Sequence, residues 1–228
     1  MSDGPLRLAV FDCDGTLVDS GHIIVAAMRA AWAAEGLGEP DDGLIRRQVG
    51  LPLVQAIANV ALEHEADMHH RLAAHYKTVF TTGRLDGLHD EPLYPGCREA
   101  LEALANENVI LAVATGKGRR GLASTLERHG LAAYFTVLKT ADDGPGKPNP
   151  DILVDAMAEV GAEPWNTVVI GDTIFDVTMA VRARAKAVGV GWGYHPPEEL
   201  SRAGAHALAE RFEDVPRLAR GLWREGIR

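Results

Sequence analysis

Cysteine is nearly absent from this chain of 228 residues: only Cys13 and Cys97 occur, without a CxxC pairing. A disulfide framework and a structural zinc site therefore have little support, and Cys13 reads as a free thiol. Positive charge is also scarce. Lys and Arg number 23 against 32 Asp and Glu, a net charge of −9, which argues against a nucleic-acid surface built on counterion release. The short basic run Lys117, Arg119 and Arg120 reads as a solvated helix start. No apolar stretch approaches the ~20 residues needed to cross a bilayer, and no basic, apolar leader occupies Met1 to Pro5. The expectation is a soluble, cytoplasmic protein with neither nucleic acid nor membrane as partner.

Several ligand motifs are missing too. There is no GxxxxGK[ST], and Gly189-Val190-Gly191-Trp192-Gly193 lacks the dinucleotide-binding spacing. A calcium loop starting at Asp12 would need Glu where Ile23 stands. Histidines His64, His69, His70 and His75, with Glu65, suggest a metal at first sight. His64 and His69 are not four apart, however, as a zinc-binding helical pair requires, so the cluster reads as the polar face of a helix.

What is present is a globular composition, 46% hydrophobic and 24% charged, enough to bury a core without help. The length fits one large domain or a core with an insertion. Leu6 to Phe11 is an apolar run of strand length that stops at the turn residues Asp12, Asp14 and Gly15. From about Ser20 to Phe80 the apolar spacing becomes helical, as in Ile24, Ala27, Met28, Ala31 and Trp32. Gly36 and Gly38 end the first helix, and further helices are expected over 44–49, 53–62 and 66–80. A loop follows from Thr81 to Pro95. The strand-like runs Val109 to Ala114, Tyr134 to Leu138, Thr167 to Ile170 and Ala185 to Val190 then alternate with helical segments near 98–105, 118–129, 151–160 and 175–183. Repeated β-α units predict an α/β fold, a Rossmann-like and mainly parallel sheet with helices on both faces. The helical stretch is an insertion after the first strand.

Ligands of such sheets sit beyond the carboxyl ends of the strands. There this sequence places Asp12 and Asp14, then Thr115, Gly116 and Lys117, then 142–147, and finally Gly171, Asp172 and Asp176. Four carboxylates at one edge need a cation or protons to coexist. Magnesium suits them, being a hard ion that takes carboxylate oxygens and a substrate phosphate. Asp12 and Asp172 are the expected direct ligands, with Asp176 nearby. Taken singly, these residues could be a turn, a surface loop, a helix cap and a solvated helix start; their joint order at strand ends favours chemistry.

The segment Phe11-Asp12-Cys13-Asp14-Gly15-Thr16-Leu17-Val18-Asp19-Ser20 resembles the signature of the haloacid dehalogenase-like superfamily. Thr115, Lys147 in Gly146-Lys147-Pro148-Asn149-Pro150-Asp151, and Gly171-Asp172-Thr173-Ile174-Phe175-Asp176 resemble its other three motifs in the right order. The resemblance implies a magnesium-dependent phosphatase. Asp12 would be the nucleophile that forms an aspartyl-phosphate. Asp14 would be the general acid and base, with its main-chain carbonyl a further metal ligand. Thr115 and Gly116 would bind the phosphoryl group, and Lys147 would neutralise charge beside it.

The same resemblance divides the chain into a core, 1–18 with 92–228, and a helical cap, 19–91, hinged near Val18 to Gly21 and Thr81 to Pro95. Arg46, Arg47 and Gln48 could reach the leaving group. The Gly171-Asp172-Thr173-x-x-Asp176 form and the ending Gly191-Trp192-Gly193-Tyr194 are similar to phosphoglycolate phosphatase-like hydrolases. The expected partner is a small phosphorylated metabolite, the protein acting as a monomer or homodimer. The alternatives are a phosphomutase of the β-phosphoglucomutase type and a non-catalytic binding module that keeps the fold.

Overall fold

The computed structural model describes residues 6–85 and 90–225. Its centre is strand β1, Leu8–Phe11, buried at every position. Leu8 and Val10 face one apolar cluster while Ala9 and Phe11 face another, the period-two alternation of a strand covered on both sides. β1 pairs in parallel with β2 (Ile110–Ala114) and β4 (Thr167–Gly171). With β3 (Phe135–Lys139), β5 (Lys186–Val190) and β6 (Ala207–Ala209) the parallel sheet runs β3-β2-β1-β4-β5-β6. Chain order reverses between β1 and β4, so the crevice at their carboxyl ends is the place to look for a ligand.

An insertion of four helices follows β1: α1 (Gly21–Ala34), α2 (Asp42–Arg47), α3 (Leu53–Val60) and α4 (Ala66–Leu85). It has its own apolar centre, in which Met28, Ala31 and Trp32 of α1 meet Ile45, Ile57 and Leu72. Asp41 caps α2 by accepting from the Leu44 N–H at 2.7 Å. The rest of the chain supplies α5 (Cys97–Asn106), α6 (Arg119–Arg128), α7 (Asp151–Val160), α8 (Ile174–Arg182), α9 (Pro197–Ala203) and α10 (Val215–Glu225). Residues of α5, α6 and α10 cover one face of the sheet, and those of α7, α8 and α9 the other.

The connections into and out of the insertion run side by side. Val18 bridges antiparallel to Leu93, the Asp19 N–H donates to the Pro92 carbonyl at 2.9 Å, and the Tyr94 N–H donates to Leu17 at 3.0 Å.

The architecture is the α/β sheet with a helical insertion that the sequence pattern predicts, with three differences. Helix α4 continues to Leu85 rather than stopping at Phe80, because Thr81, Thr82 and Gly83 weaken a helix without blocking its hydrogen bonds as proline would; within the expected Thr81–Pro95 loop, residues 86–89 lie outside the described residues. His64 falls in a turn between α3 and α4 and not on a helix. Beyond Val190 the β-α alternation continues into α9, β6 and α10.

Candidate active site

The end of β1 sets the floor of the site. The Asp12 N–H donates to the Ile170 carbonyl of β4 at 2.9 Å, so the side chain emerges where the sheet stops. Gly15 then turns the chain with φ +85, and a Cβ at that position would stand 2.3 Å from Asp172 Oδ2. Only glycine lets the loop after β1 close in on the loop after β4.

Asp12 is 1% exposed. Its Oδ1 accepts from the Cys13 N–H at 2.7 Å and pairs with Lys147 Nζ at 2.8 Å. Lys147 is wholly buried and reaches Asp176 Oδ1 at 2.5 Å as well. A capping box at the start of α8 fixes Asp176: its Oδ2 accepts from the Thr173 N–H at 3.0 Å and from Thr173 Oγ1 at 2.6 Å. Asp172 accepts from Thr16 Oγ1 at 2.8 Å and from the Tyr194 N–H at 2.9 Å.

Two of these three buried carboxylates, Asp12 and Asp176, thus share one lysine, and Asp172 has none among the described residues. Burial pushes the Asp12 carboxyl up to about 7, with Lys147 opposing and Asp176 adding to the rise. Burial, with Asp12 and Asp176 adjacent, raises Asp172 well above the usual carboxylate range. Burial works against the Lys147 charge, yet Asp12 and Asp176 outweigh it and hold it above the usual lysine range. The site therefore fits a cation. Oxygens of Asp12, Asp172 and Asp176 lie within 4.8 Å of one another, and Asp12 Oδ2 is buried without a hydrogen-bond partner among the described residues. An all-oxygen donor set of this charge suits a hard divalent ion.

Asp14 stands beside this group. Its Oδ1 accepts from Ser20 Oγ at 2.6 Å and from Lys117 Nζ at 2.7 Å. Lys117 corrects the sequence reading of a solvated basic run: its side chain is 6% exposed and also pairs with Glu91 Oε1 at 3.2 Å. Burial opposes the lysine charge, but Asp14, with Cys13 and Glu91 behind it, holds Lys117 above its ordinary range. Glu91 is itself buried, accepts from Thr125 Oγ1 at 2.9 Å, and receives the His129 Nε2 proton on its carbonyl at 2.7 Å. No local pattern marks Lys117 or Glu91, because their partners are distant in sequence.

Between the helical insertion and the sheet edge lies a cavity of about 570 Å³. Asp12, Asp14, Thr115, Gly116 and Lys117 line it from below. Gly116 is one place where the two bodies approach closely, since a Cβ there would lie 2.7 Å from the Gly50 carbonyl oxygen. Arg47 clamps the insertion to α9 through Glu199 with contacts of 3.2 and 2.8 Å. His195, which burial holds below the usual imidazole range, accepts from the Ile174 N–H at 3.2 Å and donates Nε2–H to the Arg47 carbonyl at 3.0 Å.

Arg46, expected near the leaving group, is exposed and does not line the cavity. Helix α2 turns Ile45 inward, and Val49 four residues on is buried with it, so the intervening Arg46 points away. Gln48 does line the cavity, its amide oxygen accepting from Asn59 at 2.7 Å.

Comparison with known proteins adds a lineage. The family profile for haloacid dehalogenase-like hydrolases matches residues 9–190. A probable phosphatase, IndB, from Dickeya dadantii is 35% identical over 94% of this chain and 94% of its own. A phosphoglycolate phosphatase from Agrobacterium fabrum is 31% identical over 85% of this chain and 84% of its own. Among solved structures, a hydrolase from Pseudomonas syringae superposes with a TM-score of 0.83 at 29% identity, covering 94% of this chain and 98% of that one.

Proposed function

The chain belongs to the haloacid dehalogenase-like hydrolases and is a phosphatase of that family, and we propose that it hydrolyses a small phosphate monoester through a phosphoryl group carried on Asp12. The observation that carries this reading is the buried Asp12 carboxylate. One oxygen is held by the Cys13 N–H and Lys147, while the other has no hydrogen-bond partner among the described residues. A carboxylate pinned at one oxygen has a fixed plane, so the other can be aimed at phosphorus.

The steps use residues on the cavity floor. The Asp12 oxygen bonds to phosphorus as the ester P–O bond breaks, and protonated Asp14 delivers its proton to the departing alkoxide. Water then attacks the same phosphorus and passes a proton back to Asp14. Inorganic phosphate leaves, and Asp12 is restored. Lys147 balances charge on the phosphoryl oxygens and Thr115 donates a hydrogen bond to them. Magnesium held by Asp12, Asp172 and Asp176, with the main-chain carbonyl of Asp14, would supply charge neutralisation to the same oxygens.

The test is phosphate release from p-nitrophenyl phosphate and phosphoglycolate, with magnesium and with chelator. Acid quenching during turnover should trap a hydroxylamine-sensitive acyl phosphate. Release without any such intermediate would remove Asp12 from the role of nucleophile.

A further inference from the structure

The chemistry above uses the floor of the cavity and leaves its roof unexplained. In-line displacement places the leaving oxygen on the side of phosphorus opposite the attacking carboxylate. With Asp12 at the sheet edge, the alcohol portion of the ester must extend toward the helical insertion. There it meets Met28, Val49, Leu53, Val54 and Phe80, all drawn from or packed on the apolar centre of the insertion.

Most of the cations that could meet a carboxylate on that alcohol are already engaged. Lys117 is tied to Asp14 and Glu91, Arg119 to Asp143, and Arg47 to Glu199. Lys77 and Arg120 line the cavity, but both are exposed residues. A cavity of about 570 Å³ has the size of sites for ligands much larger than a glycolate group, and its lining matches their apolar character.

We propose, building on the phosphatase reading, that the physiological ester carries a bulky apolar alcohol, aromatic or branched aliphatic, whose body lies against Met28, Val49, Leu53, Val54 and Phe80. Contact with these side chains removes apolar area of the substrate from water, and an anionic alcohol of glycolate's size has no counterpart to it.

The experiment compares kcat/KM for phosphate release, with magnesium, across esters of primary alcohols: phosphoglycolate, glyceryl phosphate, isobutyl phosphate and phenylethyl phosphate. p-Nitrophenyl phosphate serves as the activated control. The apolar esters should exceed phosphoglycolate by about tenfold or more. Val54→Asp should lower kcat/KM for phenylethyl phosphate by about tenfold. Val54→Thr, nearly the same shape, should lower it in the same direction, with circular dichroism melting to verify that both variants fold. A higher kcat/KM on phosphoglycolate would overturn the apolar assignment and leave the phosphatase standing. No release from any ester, the activated control included, would overturn the phosphatase reading and this inference with it.

Discussion

Lys117 Nζ lies 2.7 Å from Asp14 Oδ1, joining residues 103 positions apart with both side chains almost out of water. Glu91, on the returning arm of the insertion, holds the same ammonium at 3.2 Å. Lys117→Met would leave two buried carboxylates without their cation. Removing one member of a buried ion pair costs about 3–5 kcal/mol, and denaturant unfolding should show a loss of that order. Adding Glu91→Gln should recover part of it, since a neutral amide needs no countercharge. A Lys117→Met protein as stable as the parent would mean that the ion pair does not hold in solution.

Asp12→Asn removes the nucleophilic charge at nearly constant shape. Lys147 keeps Asp176 as a partner at 2.5 Å, so the fold should survive with a nearly unchanged melting temperature. Turnover should fall by about three orders of magnitude or more. Residual activity within about tenfold of the parent would exclude a covalent role for this side chain.

Asp14→Asn should separate substrates by leaving group. An alkoxide needs a proton to depart and p-nitrophenolate does not, so kcat for an alkyl ester should drop about 10²- to 10⁴-fold, with a smaller loss for p-nitrophenyl phosphate. Equal losses on both, or a change in KM alone, would contradict an acid role.

On the proposed reading, protons and a divalent ion would compete for Asp12. Burial pushes its carboxyl up to about 7 in the metal-free site, so the folded state holds a proton there that the unfolded chain has already lost. The metal-free protein therefore loses this contribution to stability as pH rises from the ordinary carboxylate range through about 7. A divalent ion held there would replace the proton. The difference in melting temperature between magnesium and chelator should thus widen from about pH 6 to about pH 8. A difference that shrinks over that range would place the ion elsewhere.

How much of this was legible in the sequence depends on the range of the interaction. Strands buried on both faces appear as short apolar runs that end abruptly in polar residues, which is why the sequence pattern alone places Asp12, Thr115 and Asp172 at one edge. Helix α7 is bounded as expected, at Asp151 and Val160. β6 is three residues long at the sheet margin, too short for an alternating pattern to register. Lys117 looked like a solvated charge because nothing nearby in sequence announces Glu91 or Asp14. The Arg47–Glu199 clamp spans 152 positions and was hidden in the same way. Arg46 and Arg47 are adjacent and chemically alike, and only the facing of α2 separates them.

Val18 and Leu93 touch where the insertion departs and returns. Two chain ends that meet at one point can exchange whatever is strung between them while the sheet keeps its register. A descendant of this gene, or a laboratory graft, could swap its whole roof in a single recombination event. Such a molecule would acquire a new diet and keep its old chemistry.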